Sequence, residues 1–231
     1  MEFLLEINTE EMPFEHVKVG LSQLEERIKA ELSSRSVEVK QIRTLGTCRR
    51  LVVAADFAEA QQDREEQFIG PPKNVAFTAD GSPSPAARGF AKAQGVKVEE
   101  LEVIKTDRGE YLGLKKLIKG KPTQDILAEI LPSVISSLSF PKMMRWESSF
   151  RFSRPVRNLL CLFGGRVLPF SVGEVTSGDT TAGHKIFCTR RVKVKSFSEY
   201  RDSLKGMRVV VEEEKRKKMI SDQMEKKLSS L

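Results

Sequence analysis

The chain is poor in the residues that most often carry chemistry. It has two histidines, His16 and His184, and three cysteines, Cys48, Cys161 and Cys188. The cysteines are far apart, odd in number and in no C-x-x-C pair. That argues against a disulfide framework and a zinc site, and for reduced, mostly buried thiols. There is no G-x-x-x-x-G-K-[ST] loop, no G-x-G-x-x-G after a strand and no G-x-S-x-G elbow, so phosphate-cradling and serine-hydrolase chemistry lack their usual signals. The longest apolar runs, at 51–55 and 159–163, reach only about five residues, against the ~20 that a spanning helix needs. The N-terminus lacks the basic region and long apolar stretch of a signal peptide. These absences lead us to expect a soluble, cytoplasmic protein with no membrane contact.

Enough is present for a real core. Hydrophobic residues make up 39 % of 231, and the aromatic content rests on thirteen Phe beside one Trp and two Tyr. That length suits one large or two small domains. The net charge of +7 is unevenly placed. Between Lys142 and Lys195 eleven bases face only Glu147, Glu174 and Asp179, so the rest of the chain is near neutral. Such a stretch is either an electrostatic footprint for a polyanion or a solvated basic surface.

The pattern along the chain predicts an α+β fold of mixed and antiparallel sheets, with hairpins and packed amphipathic helices in two subdomains. Residues 3–7 read as a strand, broken at Pro13, with Thr9 as a helix cap. Val17, Leu21, Leu24, Ile28 and Leu32 mark one helical face. Residues 37–45 and 50–57 suggest a hairpin turning near Gly46-Thr47. Residues 61–85 are polar and rich in turn signals, which predicts a long loop, with 67–69 as an alternative short strand. Ser84 and Gly95 bracket a helix, and Asp107-Arg108-Gly109 turns a second hairpin. Thr123 opens a helix that Pro132 bends. Gly164-Gly165 joins strands 158–163 and 166–172. Beyond lie a loop around Gly178 and Gly183, short strands at 185–188 and 207–211, a helix at 196–204 and a solvated helix from 212. The expected portions are 1–60, 61–140, a basic β-rich part 141–211, and a charged helix 212–231 whose abrupt end resembles a cut.

Four places merit chemical scrutiny. Glu10-Glu11 could form an acid–base pair, but adjacent side chains usually point apart, and two acids in a first helical turn suit the macrodipole. His16 sits on a helix of ordinary periodicity, where packing is the simpler role. Residues 140–146 alternate apolar side chains with Lys142 and Arg145 and end in Trp146. With Arg154 and Arg157 they form a candidate RNA- or protein-facing edge, with a core-packed Trp as the alternative. Thr180-Thr181-Ala182-Gly183-His184-Lys185 could bring hydroxyls, His and Lys to phosphate, or could be a tight turn whose His bonds a carbonyl. The candidate binding residues are therefore Lys142, Arg145, Trp146, Arg154, Arg157, His184 and Lys185. Lys142, Arg145, Arg154 and Arg157 are expected to line one basic surface. No catalytic residue and no metal ligand is expected.

In order, these pieces resemble the N-terminal region of the β subunit of bacterial heterotetrameric glycyl-tRNA synthetase. The family's G-T-E-E-[LI]-P is matched by Asn8 through Pro13, its R-R-L by Arg49-Arg50-Leu51, and its G-P-P by Gly70-Pro71-Pro72. Its A-A-x-G-F-A is matched by Ala86 through Ala91, its P-K-x-M-R-W by Pro141 through Trp146, and its F-x-R-P-V-R by Phe152 through Arg157. T-R-G-H-R-F appears as Thr181 through Phe187 and E-x-R-K-x-x-I as Glu214 through Ile220. The departures are Asn8, Ala182, Lys185 and one extra residue in each of the last two segments. Each motif is weak alone; the ordered set is specific. The resemblance implies an α2β2 assembly whose α subunit carries the class II site that activates glycine with ATP and Mg. The β subunit binds tRNA-Gly and is needed for transfer, with a helical HD-type domain and an anticodon-binding domain beyond this chain. It implies no cofactor and no independent activity here. A standalone RNA-binding module is the alternative, and a hydrolase would need Glu10 or Glu11 to converge with His184.

Overall fold

The run Phe-Leu-Leu-Glu-Ile is apolar on both sides of a strand, the pattern of a strand covered on both faces. It forms β1 (Glu2–Thr9) in a computed structural model that describes residues 1–78, 81–107, 109–146 and 150–229. β1 is followed by α1 (Phe14–Ser34), β2 (Val39–Thr47) and β3 (Arg50–Phe57). Then come β4 (Arg64–Pro72), the short α2 (Lys73–Ala76), α3 (Pro85–Gln94), β5 (Glu102–Thr106) and β6 (Gly109–Ile118). After α4 (Thr123–Ser136) the chain is mostly short strands: β7 (Met144–Trp146), β8 (Phe150–Phe152), β9 (Val156–Phe163), β10 (Arg166–Val167), β11 (Ser171–Val172), β12 (Val175–Gly178), β13 (Thr180–Ala182) and β14 (Arg191–Lys193). α5 (Phe197–Gly206) and α6 (Glu213–Leu228) close it. Two compact units result: 1–61 with 121–231, and 62–120.

The larger unit is built on one mixed sheet in the order β11-β12-β9-β1-β3-β2, with β10 also on β9. β1 runs antiparallel to both neighbours, pairing Leu4 with Ala54 and Leu162, and Leu5 with Val53 and Cys161. Because strand side chains alternate, Phe3, Leu5 and Ile7 join one core and Leu4 another. Leu24, Ile28 and Leu32 of α1 and Ile126, Ile130 and Val134 of α4 fill the first. Phe197, Tyr200 and Leu204 of α5, with Met207, Val209 and Val211, cover the second face. Pro132 lies inside α4 without ending it.

The smaller unit is the antiparallel sheet β4-β6-β5 with α2 and α3. α3 starts where Ser84 accepts from the Ala87 N–H at 3.3 Å and ends at Gly95 in the left-handed region, as expected. Gly70 lies against Phe90 so closely that a Cβ there would stand 2.8 Å from the ring.

Several expectations are corrected. Residues 61–85 are not a long loop: β4 occupies nine of them, takes in the alternative short strand at 67–69 and pairs with β6. Thr9 caps nothing; it ends β1, and α1 starts at Pro13-Phe14, so Glu10 and Glu11 precede the helix. The first hairpin turns at Cys48-Arg49, past Gly46-Thr47, which leaves Cys48 exposed. Strand 166–172 is two short pieces, β10 and β11. Residues 185–188 form a turn rather than a strand, and 207–211 pair with no strand. Arg108 of the second hairpin's turn lies outside the described residues. His16 is buried, 2.6 Å from the Ser153 hydroxyl and stacked on Phe140, as its helical position suggested. Among the described residues no helix is long and apolar enough to cross a membrane.

Candidate nucleic-acid interface

The turn between β1 and α1 gathers cations from three distant segments. Arg157, at the start of β9, donates through Nε to Glu10 Oε1 at 2.9 Å. Arg49, in the β2–β3 turn, lies 2.9 Å from Oε2, and Lys185 Nζ lies 3.2 Å from the same oxygen. The Arg157 hydrogen bond, reinforced by Lys185 and Arg49 against the opposing cost of burial, holds the Glu10 carboxyl down to about 2. It is ionised throughout the neutral range, and so is far from the pKa near 7 that suits a proton shuttle. Arg49 Nη1 is also 3.7 Å from Glu11 but makes no hydrogen bond.

Arg154 ties this turn to the β7–β8 hairpin. Its Nε donates to the Glu11 carbonyl at 3.0 Å and its Nη1 reaches Met144 Sδ at 3.2 Å. On that hairpin Arg145 stands directly opposite Arg151, both exposed. Like charges at directly opposite positions of an antiparallel pair repel. Lys142 is exposed in the bend just before β7. Trp146 is half-buried against the first core, and its Nε1–H donates to the Phe152 carbonyl at 3.4 Å. Its ring therefore packs, while the cations around it face outward.

His184 and Lys185 sit in a loop that is wired to the sheet. Glu6, fully buried in β1 on the α5 side, accepts from Arg50 Nε at 3.2 Å, from the Thr181 hydroxyl at 2.9 Å and from Tyr200. Burial and the Glu6 charge push the Tyr200 hydroxyl well above its usual range, so it stays a donor. Arg50 Nη2 also donates to the carbonyls of Ala182 and Gly183. A Cβ on Gly183 would collide with the Cys188 carbonyl oxygen and the Met207 side chain. His184 Nδ1 accepts the N–H groups of Ile186 and Phe187 at 3.2 and 3.4 Å, which leaves the proton of the neutral ring on Nε2. The tight-turn alternative thus describes this loop, with the imidazole accepting N–H groups rather than donating to a carbonyl.

The glycyl-tRNA synthetase beta subunit family model matches residues 3–230. The chain belongs to that family. It is similar to the glycine–tRNA ligase beta subunits of Trichlorobacter lovleyi (42 % identical over 221 residues), Syntrophus aciditrophicus (40 % over 227) and Syntrophotalea carbinolica (40 % over 225). These matches cover 95–97 % of the chain but only 32–33 % of each relative. The chain thus spans about a third of the length of these relatives, and it corresponds to the family's N-terminal region.

Four of the eight segments that carry the likeness to the β-subunit family meet in space. Glu10-Glu11, Arg49-Arg50, Arg154 with Arg157, and Gly183 through Lys185 come from these four, and they close around one turn. Beside it lies a cleft of about 290 Å³ lined by Glu11, Thr47 to Arg50, His184 to Ile186, Arg208 to Val210, and Arg216. Among the described residues neither Glu11 nor Cys48 hydrogen-bonds the His184 ring. Sequence reasoning missed Glu6, Arg50, Tyr200 and Arg208. Glu6 did leave a signal: it is the one charge in the apolar run 3–7.

Proposed function

We propose that this region supports ATP-dependent charging of tRNA-Gly in a cytoplasmic α2β2 glycine–tRNA ligase. It does so by presenting a basic surface to the RNA beside its α-subunit partner, and makes or breaks no bond itself. The observation that carries this reading is the surplus of cations at the Glu10 turn and the adjoining hairpin. Glu10 already holds three partners, Arg145 and Arg151 face each other with no ion pair among the described residues, and Lys142 is exposed in the bend before them. A cluster of this kind suits a phosphate backbone, where counterion release rewards each neutralised phosphate. The names of the relatives agree with it. The ionised state of Glu10 and, among the described residues, the lack of a hydrogen bond between Glu11 and the His184 ring count against the hydrolase alternative.

The test uses Arg145→Glu with Arg151→Glu in the intact enzyme, because these side chains hold no core contact. Charging of tRNA-Gly at moderate salt falls while assembly with the α subunit is retained. Unchanged charging removes the RNA reading. Loss of the α subunit instead assigns the surface to subunit docking.

A further inference from the structure

The cleft between the Cys48-Arg49 turn, the 183–187 loop and the end of α5 has features that packing does not call for. α5 ends in a Schellman arrangement: the Val209 N–H donates to the Leu204 carbonyl at 2.9 Å and the Arg208 N–H to the Lys205 carbonyl at 3.2 Å. The residue that must then turn left-handed is Arg208, at φ 64°. Glycine is the usual occupant, because a side chain in this region is strained. Arg208 is exposed and lines the cleft, with no ion pair or hydrogen bond to its side chain among the described residues. A strained cation without an internal partner, held where glycine would be more stable, is the kind of local conflict that marks a functional site.

The surroundings match it. Among the described residues Arg49, Arg50, Lys185, Arg208 and Arg216 line the cleft with Glu11 as the one lining carboxylate, Arg49 and Lys185 reaching Glu10 and Arg50 reaching Glu6 behind it, while Ile186, Val209 and Val210 supply apolar wall. Ile186, which lines the cleft, and Phe187, next to it in the chain, are 79 % and 76 % exposed. They are not on a slack tip: His184 accepts both their N–H groups, its ring lies 4.7 Å from that of Phe187, and Arg50 grips the carbonyls at the base of the loop. The loop is pre-organised to hold an aromatic ring in solvent beside cations. Unpaired bases stack on such rings while cations take their phosphates. The volume lies near the lower end of small-ligand pockets, ~300–1,000 Å³, room for one nucleotide rather than a helix.

We infer that this cleft receives one unpaired nucleotide of the RNA, its phosphate against Arg208 and its base against Phe187 and Ile186. This deepens the RNA reading above and rests on it. The test measures tRNA affinity of the intact enzyme across a salt series for Arg208→Gly and Phe187→Ala, with short single-stranded and duplex RNAs as competitors. Arg208→Gly melts no lower than the wild type, since glycine suits the left-handed position. It binds about three- to tenfold more weakly at moderate salt, and its log–log salt slope shrinks by about one. Phe187→Ala loses about tenfold in affinity for the single strand and little for the duplex. Both variants binding within twofold of wild type, while Arg145→Glu with Arg151→Glu binds weakly, overturns this inference and leaves the RNA reading standing. A wild-type enzyme with no salt-dependent tRNA binding overturns both. Normal RNA binding with loss of the α subunit makes the cleft a protein interface and overturns the inference.

Discussion

At the scale of single residues, two acids organise the unit and do so oppositely. Glu6 is fully buried, and its partners there are Arg50 and the hydroxyls of Thr181 and Tyr200. Removing one member of such a pair leaves the other uncompensated in a poorly polarisable interior. Arg50→Met is expected to cost about 3–5 kcal/mol in urea unfolding, and Arg50→Met with Glu6→Leu much less. Equal losses would mean that Glu6 left without Arg50 in the interior costs nothing. Glu10 is partly solvated and works through its partners. Its folded pKa is depressed from 4.5 to about 2, so its contribution to stability is fully present above pH 4.5 and is lost as pH falls towards 2. The wild type should therefore lose stability over that window relative to Glu10→Gln, by thermal melts at each pH; parallel curves would contradict the three-cation geometry. Glu6 was readable as an anomaly in an apolar strand, yet its partners were not. Arg50, Thr181 and Tyr200 are brought to it by register and by a helix packed from the far end of the chain, which no local pattern encodes.

At the scale of elements, the 183–188 loop owes its shape to contacts rather than propensity. Gly183 sits where any side chain meets the Cys188 carbonyl and Met207. Gly183→Ala should cost about 1–3 kcal/mol and raise amide exchange at 184–188, while leaving β1 and β3 protected; unchanged exchange would show that the loop accommodates a methyl group. α1 and α4 were legible because burial of a stripe every three or four residues is local information, and α3 because Ser84 and Gly95 mark its two ends. The errors have one cause. Ile186 and Phe187 read as strand because they are apolar, but they point outward. Residues 207–211 are apolar because they cover the sheet, not because they join it. Residues 64–72 read as loop because their charges and Gly70-Pro71-Pro72 conceal a strand whose partner, β6, lies some forty residues on.

At the scale of the whole molecule, six of the eleven bases counted between Lys142 and Lys195 lie at the Glu10 turn or on or beside the β7–β8 hairpin: Lys142, Arg145, Arg151, Arg154, Arg157 and Lys185. Of the expected binding residues, Arg157 and Lys185 share Glu10, and Arg154 joins the turn to β7. His184 lines the adjoining cleft, Arg145 and Lys142 lie on or beside the hairpin, and Trp146 packs inward. The clustering was legible in sequence as charge; the anion at its centre was not, because Glu10 read as a helix-start acid. The surface explains itself if phosphates complete what Glu10 begins. The most direct test is the salt dependence of tRNA-Gly affinity for the intact enzyme with and without Arg145→Glu and Arg151→Glu. The wild type is expected to show a steep log–log decline, and the double variant a slope shallower by about two. Identical slopes and affinities for the two proteins would contradict this.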